Sequence, residues 1–187
     1  QAESLQVLSQ LEHNLREQVN RLETLHLISR SFLPQSDAPV TMTEITRQSV
    51  EKMGFDSALL MSAKPHQAIL RIFAQSGAIQ FTPGDDALQR LISEFWRTGE
   101  SSYVVINPGR SLPQNYRAAA IHLLYESENE VYLLCVLSKE TLYFSEQKEF
   151  LQAFVNLAEI KLQSAFLYEA VRNGRETLSA LSHRLVQ

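Results

Sequence analysis

Residues 131–138 read VYLLCVLS, an apolar run that ends in a serine. A short run without a polar interruption is typical of a strand that is covered on both faces. A second, mostly apolar run, RAAAIHLLY at 117–125, precedes it, and the polar segment ESENE at 126–130 lies between the two. Two β-like runs around a short polar turn predict an antiparallel hairpin. We therefore expect residues 131–138 to form a central strand of a sheet.

Three more strands are predicted upstream of this hairpin. Residues 57–63 and 68–74 are β-like runs on either side of the turn KPHQ at 64–67. A shorter run at 102–106 precedes residues 107–115, whose two prolines and one glycine indicate a loop.

Two helices are predicted among these strands. Residues 40–53 carry apolar side chains along one side, and Gly54 fits the left-handed position that ends many helices. Residues 85–97 repeat with a period of 3.6 and end before Gly99. The apolar positions of this second helix are Leu88, Leu91, Ile92 and Phe95. The order of elements, with a long helix at each end, predicts an α+β fold with a central, mostly antiparallel sheet of five to six strands and flanking helices.

The N-terminal segment at 4–32 contains neither glycine nor proline, and its apolar residues recur at heptad spacing. A helix of this length spans roughly 45 Å, which is more than one small domain covers. We expect it to pair with a second copy of the chain, although an amphipathic helix folded back onto its own domain has the same pattern. The predicted contact residues are Leu8, Leu11, Leu15, Leu22 and Leu25.

The C-terminal segment predicts a long exit helix with Ser145 as its N-cap. Heptad-spaced apolar residues again indicate pairing between copies, and Asn173-Gly174 either ends the helix or marks a place where it bends. The predicted contact residues are Phe150, Phe154, Leu157, Tyr168, Leu178 and Leu185. We accordingly expect a coiled-coil helix at 1–33, a sheet core at 34–144, and an exit helix at 145–187 that leads to an output domain.

The composition limits the class of protein. The 187 residues carry a net charge of -4 and no basic cluster, so we expect neither nucleic acid nor a membrane surface as a partner. No apolar run approaches the length of a membrane span. The one cysteine cannot form an internal disulfide and fits a reducing, cytoplasmic location. Helix-like sequence at both ends suggests an excised fragment, and a longer parent protein with a membrane anchor upstream is compatible with these features.

Four stretches together resemble a GAF domain, the small-molecule-sensing relative of the PAS fold, over about residues 22–171. They are LETLHLISRSF at 22–32, EKMGFDSALLM at 51–61, FWRTGESSYVV at 95–105, and the segment 131–169. Ile121-His122 stands where the family commonly has Pro-Leu, and Ser138-Lys139 departs from the signature of cyclic-nucleotide-binding relatives. Cys135 lies in the middle of a strand instead of at a bilin attachment point, and we interpret it as a core residue.

The last residues, GRETLSALSHRLVQ at 174–187, resemble the segment that leads into the dimerisation helices of sensor histidine kinases of the nitrate/nitrite-sensor type. In that family an acidic residue follows the phosphorylated histidine, whereas Arg184 follows His183 here. The resemblance therefore implies a kinase output domain downstream and assigns no catalytic residue within the chain.

No pattern of residues predicts an enzyme. The glycines are isolated, the five histidines lack metal-ligand spacing, and there is no nucleophile motif. We therefore expect no catalytic residue, metal or cofactor. The resemblance also extends to methionine-sulfoxide-reducing GAF relatives, but that chemistry needs more than one reactive cysteine.

The resemblance implies a ligand pocket on one face of the sheet, lined by larger polar and aromatic side chains. The candidates are Trp96, Tyr103, Asn107, Arg110, Tyr116, Arg117 and His122. Arginines in such a pocket favour an anionic or carbonyl-bearing ligand. The alternative is that the aromatic residues fill the core while the arginines lie in solvent.

These observations predict a regulatory relay in the form of a parallel homodimer. A small molecule or an upstream motion would shift the terminal helices, and the helices would pass this shift to an output domain. The alternative is a ligand-free structural spacer that dimerises and transmits.

Overall fold

The computed structural model describes residues 2–32, 36–106, 112–113, 116–141, 144 and 147–186. The chain divides into two compact units, Gln1–Ser31 and Phe32–Gln187.

The first unit is a single helix, α1 (Ala2–Ser31). Pairs of opposite charge four residues apart support it, with Arg16 Nη2 2.9 Å from Glu12 Oε1 and Arg21 3.6 Å from Glu17. Leu8, Leu11, Leu15 and Leu22 are each at least 60% exposed, and Leu25 is partly buried.

The second unit holds one antiparallel sheet with helices on both faces. Its elements are α2 (Ala38–Glu51), β1 (Ser57–Ala63), β2 (Ile69–Gly77), α3 (Asp86–Thr98), β3 (Ser102–Ile106), β4 (Ala118–Glu126), β5 (Val131–Ser138) and α4 (Lys148–Leu185). The strand order is β2-β1-β5-β4-β3, so β5 lies in the centre between β1 and β4, which confirms the prediction for residues 131–138.

Local sequence explains where the shorter helices begin and end. Asp37 caps α2 by accepting a hydrogen bond from Val40 N at 3.3 Å, so the helix begins two residues earlier than predicted. Asp85 caps α3 in the same way, accepting from Leu88 N at 3.0 Å. Gly99, with φ 68°, ends α3 in the left-handed conformation.

β2 extends three residues beyond its predicted end, to Gly77. Ser57 pairs with Gly77 at the start of β1, so the register of the hairpin continues to that point. Gly77 has φ 123°, and a Cβ there would lie 2.5 Å from Asp56 O. Only glycine fits this close approach.

One face of the sheet packs against α3. Met61 of β1, Cys135 of β5 and Ile121 of β4 lie in the same buried cluster as the apolar side of α3. All four apolar positions predicted for α3, namely Leu88, Leu91, Ile92 and Phe95, are buried.

The opposite face is covered by α2 and the first half of α4. α2 packs on β1 and β2, and α4 packs on β4. α4 begins at Lys148, with Gln147 at the cap position, and Ser145 lies outside the described residues. The helix runs without a break through Asn173 and Gly174, which excludes the alternative that this dipeptide ends it. One glycine costs a helix about 1 kcal/mol, which does not end it.

Candidate functional site

Three of the predicted ligand residues border the core under α3, and each gives its polar atom to a protein partner. The indole N–H of Trp96 donates to Gln67 O at 2.9 Å. Tyr103 donates its hydroxyl to Glu94 Oε2 at 2.8 Å. The buried hydroxyl of Tyr116 lies 2.6 Å from Ser57 Oγ. These groups are therefore already engaged within the protein.

His122 lies on the opposite face. It is on β4 beside Ile121, whose side chain belongs to the cluster under α3, and neighbouring residues of a strand point to opposite faces. Its register partners are Leu134 on β5 and Ser102 on β3. The ring is 3% exposed, and neither of its nitrogens has a hydrogen-bond partner within the described chain. Burial lowers the pKa of His122 from 6.5 to about 4, so the ring is neutral at physiological pH.

Of the remaining candidates, Arg117 is the one that the structure describes. The side chain of Arg117 is exposed. Asn107 and Arg110 lie outside the described residues. Of the five candidates that the structure describes, Trp96, Tyr103 and Tyr116 lie on the α3 side and His122 does not, so no single pocket unites them. Ligand binding by these residues stays a prediction.

Cys135 has the properties of a core residue. It is fully buried, and burial raises the pKa of its thiol to about 12. Because the thiolate is the reactive form, this sulfur is inert at neutral pH. In the part of the chain that the structure describes, no three His, Cys, Asp or Glu residues cluster closely enough to hold a metal ion.

The clearest surface feature is an apolar stripe on α4. Its members follow one another at alternating spacings of three and four residues, with only Ser164 and Gly174 interrupting the apolar series, and they are at least 48% exposed. The stripe consists of Ile160, Leu167, Val171, Leu178, Leu181 and Leu185. All residues at 170–186 are exposed, so this part of α4 makes little contact with its own domain.

The stripe differs from the predicted line in the first half of the helix and coincides with it in the second half. Phe150 and Phe154 are buried among the residues of α4 that face the sheet, and Tyr168 is partly buried. Leu157 is partly buried, while Leu178 and Leu185 belong to the stripe. Ile160 and Leu167 were missed, although the same three-and-four spacing could have found them.

Two contacts hold α4 where it leaves the domain. The ring of Phe166 stacks on Tyr125 with centroids 4.4 Å apart, and it lies 4.9 Å from the ring of Tyr132. Three residues further on, Glu169 Oε1 accepts a hydrogen bond from Ala38 N at 2.8 Å. A carboxylate at this position also interacts favourably with the positive end of α2. Any movement of the sheet or α2 would therefore act on α4 at this point.

Comparison with solved structures identifies the architecture. The GAF domain of a putative sensor histidine kinase from Pseudomonas syringae pv. tomato superposes with a TM-score of 0.53 at 14% identity, covering 92% of this chain and 98% of that one. A free methionine-R-sulfoxide reductase from Neisseria meningitidis gives a TM-score of 0.58 at 15% identity, over 79% and 90% of the two chains. The chain has the fold of a GAF domain.

Some of the similar structures are longer than this chain, which spans only part of them. The chromophore-binding domain of a bacteriophytochrome from R. palustris matches with a TM-score of 0.56 at 12% identity; the match covers 80% of this chain but only 62% of that chain.

The sequence matches no protein-family model and no curated protein. None of the described helices combines the length and apolarity needed to cross a membrane.

Proposed function

We propose that this chain is a regulatory relay module of a signalling protein, acting as a parallel homodimer through α4 and α1. The observation that carries the proposal is the exposed apolar stripe on α4, where Leu178 is 69% and Leu185 is 87% exposed. Isolated helices are marginal in water, and heptad-spaced apolar residues are covered when two helices form a coiled coil. In a two-fold dimer the same stripe of each copy forms both sides of the contact.

The place of α4 in the fold supports relay. Its first half covers β4, whereas its second half carries the stripe. Phe166 and Glu169 join the two halves to the sheet and to α2. Packed helices respond to a change at their contacts in discrete steps, so a shift in the sheet would turn or slide the stripe.

The fold neighbours support a regulatory role. GAF domains of a putative sensor histidine kinase and of a phosphoenolpyruvate-protein phosphotransferase share the fold, as does a chemotaxis protein segment. With the kinase-like segment at 174–187, we assign the output to a histidine kinase of the nitrate/nitrite-sensor type, placed in the cytoplasm. The module itself catalyses nothing, and it needs neither nucleic acid nor a membrane surface.

The alternative, a spacer without a ligand, is favoured by a specific observation. The polar atoms of Trp96, Tyr103 and Tyr116 are all engaged by protein partners, which leaves fewer groups for a ligand under α3. A thermal-shift screen against small metabolites separates the two functions. A ligand at one hundred times its dissociation constant stabilises the fold by roughly 2.7 kcal/mol, whereas a spacer shows no such shift.

The dimer is tested by placing a charge in the stripe. Leu178→Glu removes apolar contact from both copies at once, so we expect the dimer dissociation constant to rise at least about a hundredfold. Light scattering and sedimentation equilibrium measure it. The matched control is Ala180→Glu, which adds the same charge two residues along on the side away from the stripe, and it should leave the mass unchanged. A monomeric wild-type chain, or equal effects of both variants, would contradict the proposal.

A further inference from the structure

A cleft of about 440 Å³ opens between the β1–β2 turn and the outer side of α3. Its walls include His66 and Gln67 from the turn and Gln89, Ser93, Trp96 and Arg97 from the helix. This volume falls in the range of small-molecule sites, which is about 300–1,000 Å³. The cleft lies on the solvent side of α3, away from the sheet face that the predicted pocket would occupy.

Hydrogen bonds fix the walls of the cleft before anything binds. Gln89 accepts from Ile69 N at 3.1 Å through its amide oxygen and donates to Pro83 O through its amide nitrogen. The indole N–H of Trp96 is held by Gln67 O. Walls that are already ordered do not lose conformational freedom when a ligand arrives.

The turn places an aromatic ring where its backbone would prefer glycine. Gln67 N donates to Lys64 O at 3.0 Å, and His66 has φ 60°, the left-handed region that glycine or asparagine usually occupies in such turns. Within the described chain, His66 is the one residue other than glycine with a positive φ. Its ring packs against Trp96, with centroids 5.3 Å apart at 45°. The two rings form an aromatic wall along the cleft.

The charge of the cleft favours an anion. Arg97 is exposed and forms no ion pair with any described residue. Neither Asp nor Glu is among the described residues that line the cleft, although the chain as a whole is acidic. A planar guanidinium binds a carboxylate through two parallel hydrogen bonds.

We propose that this cleft binds a small aromatic carboxylate, with its ring against His66 and Trp96 and its carboxylate on Arg97. Stacking on the aromatic wall selects a flat ring, and the exposed guanidinium of Arg97 selects the negative charge. The site is independent of the α4 dimer, so its failure would leave the relay proposal unaffected.

Trp96 makes the test direct because it is the chain's one tryptophan. Its indole N–H signal in a ¹H–¹⁵N NMR spectrum reports the cleft wall without ambiguity. We expect benzoate to shift this signal saturably at constant ionic strength. Benzyl alcohol lacks the charge and cyclohexanecarboxylate lacks the flat ring, and each should bind at least about fivefold more weakly.

Two variants and one control complete the experiment. Arg97→Gln should weaken benzoate binding by about fivefold or more. His66→Gly suits the turn's backbone and removes the ring, so it should weaken binding while the melting temperature stays the same or rises. Arg90→Gln removes a charge on the same helix outside this cleft and should change the affinity less than about twofold. The absence of saturation, or equal losses in Arg97→Gln and Arg90→Gln, would overturn the proposal.

Discussion

At the scale of single residues, the unusual feature is a pair of buried polar side chains without partners. Ser62 on β1 and His122 on β4 are both almost fully buried, and neither Ser62 Oγ nor either ring nitrogen of His122 is hydrogen-bonded within the described chain. A buried polar group left unsatisfied costs about 1–3 kcal/mol. The interface between the sheet and its covering helices is therefore less stable than an apolar one would be.

His122 should make the stability of the domain depend on pH. Its pKa is about 4 in the folded chain and 6.5 when exposed, so the unfolded chain binds the extra proton between these values. Stability is consequently lost as the pH falls from about 6.5 towards about 4, with a loss of about 2 kcal/mol between pH 7 and pH 5. Urea unfolding of wild type and His122→Leu at both pH values measures this contribution, which the variant should lack.

The same experiment includes a stability test and a control. His122→Leu should be at least as stable as wild type at pH 7, because an apolar side chain leaves no nitrogen unsatisfied. His183→Gln, at an exposed position near the end of α4, should keep the wild-type pH dependence. An unchanged pH dependence in His122→Leu would show that the ring is hydrated in the folded state.

The sequence could predict the glycines at the ends of α2 and α3 but not the face on which His122 lies. Gly54, with φ 81°, and Gly99, with φ 68°, have local roles, which depend only on the residues around them. β4 is buried on both faces over most of its length, so the alternation that normally separates the faces of a strand is missing. Only the packed neighbours decide that His122 points away from α3.

At the scale of elements, the two faces of α4 have different surroundings. Leu151, Phe154 and Leu162 are buried against the domain, while Ile160 and Leu167 are exposed. The sequence predicted one heptad line of contact residues. In the first half of the helix, however, apolar residues lie on several sides, so two different heptad lines fit the sequence equally well. Contact with the sheet buries one line and leaves the other exposed, and tertiary packing decides which line is buried.

Two adjacent residues of α4, Phe166 and Leu167, should separate the stability of the domain from the formation of the dimer. Phe166→Ala removes a ring stacked on Tyr125, and we expect it to cost about 2 kcal/mol of domain stability. Leu167→Ala changes the exposed stripe and should weaken the dimer while leaving the isolated domain as stable as wild type. Urea unfolding at two protein concentrations, one above and one below the dimer dissociation constant, distinguishes them. If Leu167→Ala lowers stability equally at both concentrations, the stripe contributes to the domain's own core.

At the scale of the whole molecule, the order of elements was enough to predict an α+β fold with a central antiparallel sheet. The sequence signals of each strand and helix are local. Few ways of packing these elements bury all of their apolar faces together. Among the described ligand candidates, Trp96, Tyr103 and Tyr116 lie on the α3 side and His122 lies on the other, because the side of a sheet that a side chain occupies is set by its register. Two further candidates, Asn107 and Arg110, lie outside the described residues.

The orientation of the two copies gives the last prediction. In a parallel two-fold coiled coil, every stripe residue faces its own counterpart, so Leu178→Cys and Leu185→Cys should each form a disulfide between copies under oxidising conditions. The single native cysteine, Cys135, is buried and should not interfere. Ala180→Cys, on the outer side, should stay unlinked, as gel electrophoresis without reductant would show. An antiparallel pair brings at most one of the two stripe positions opposite itself, so cross-linking of only one of them would refute the parallel arrangement that relay to a downstream domain requires.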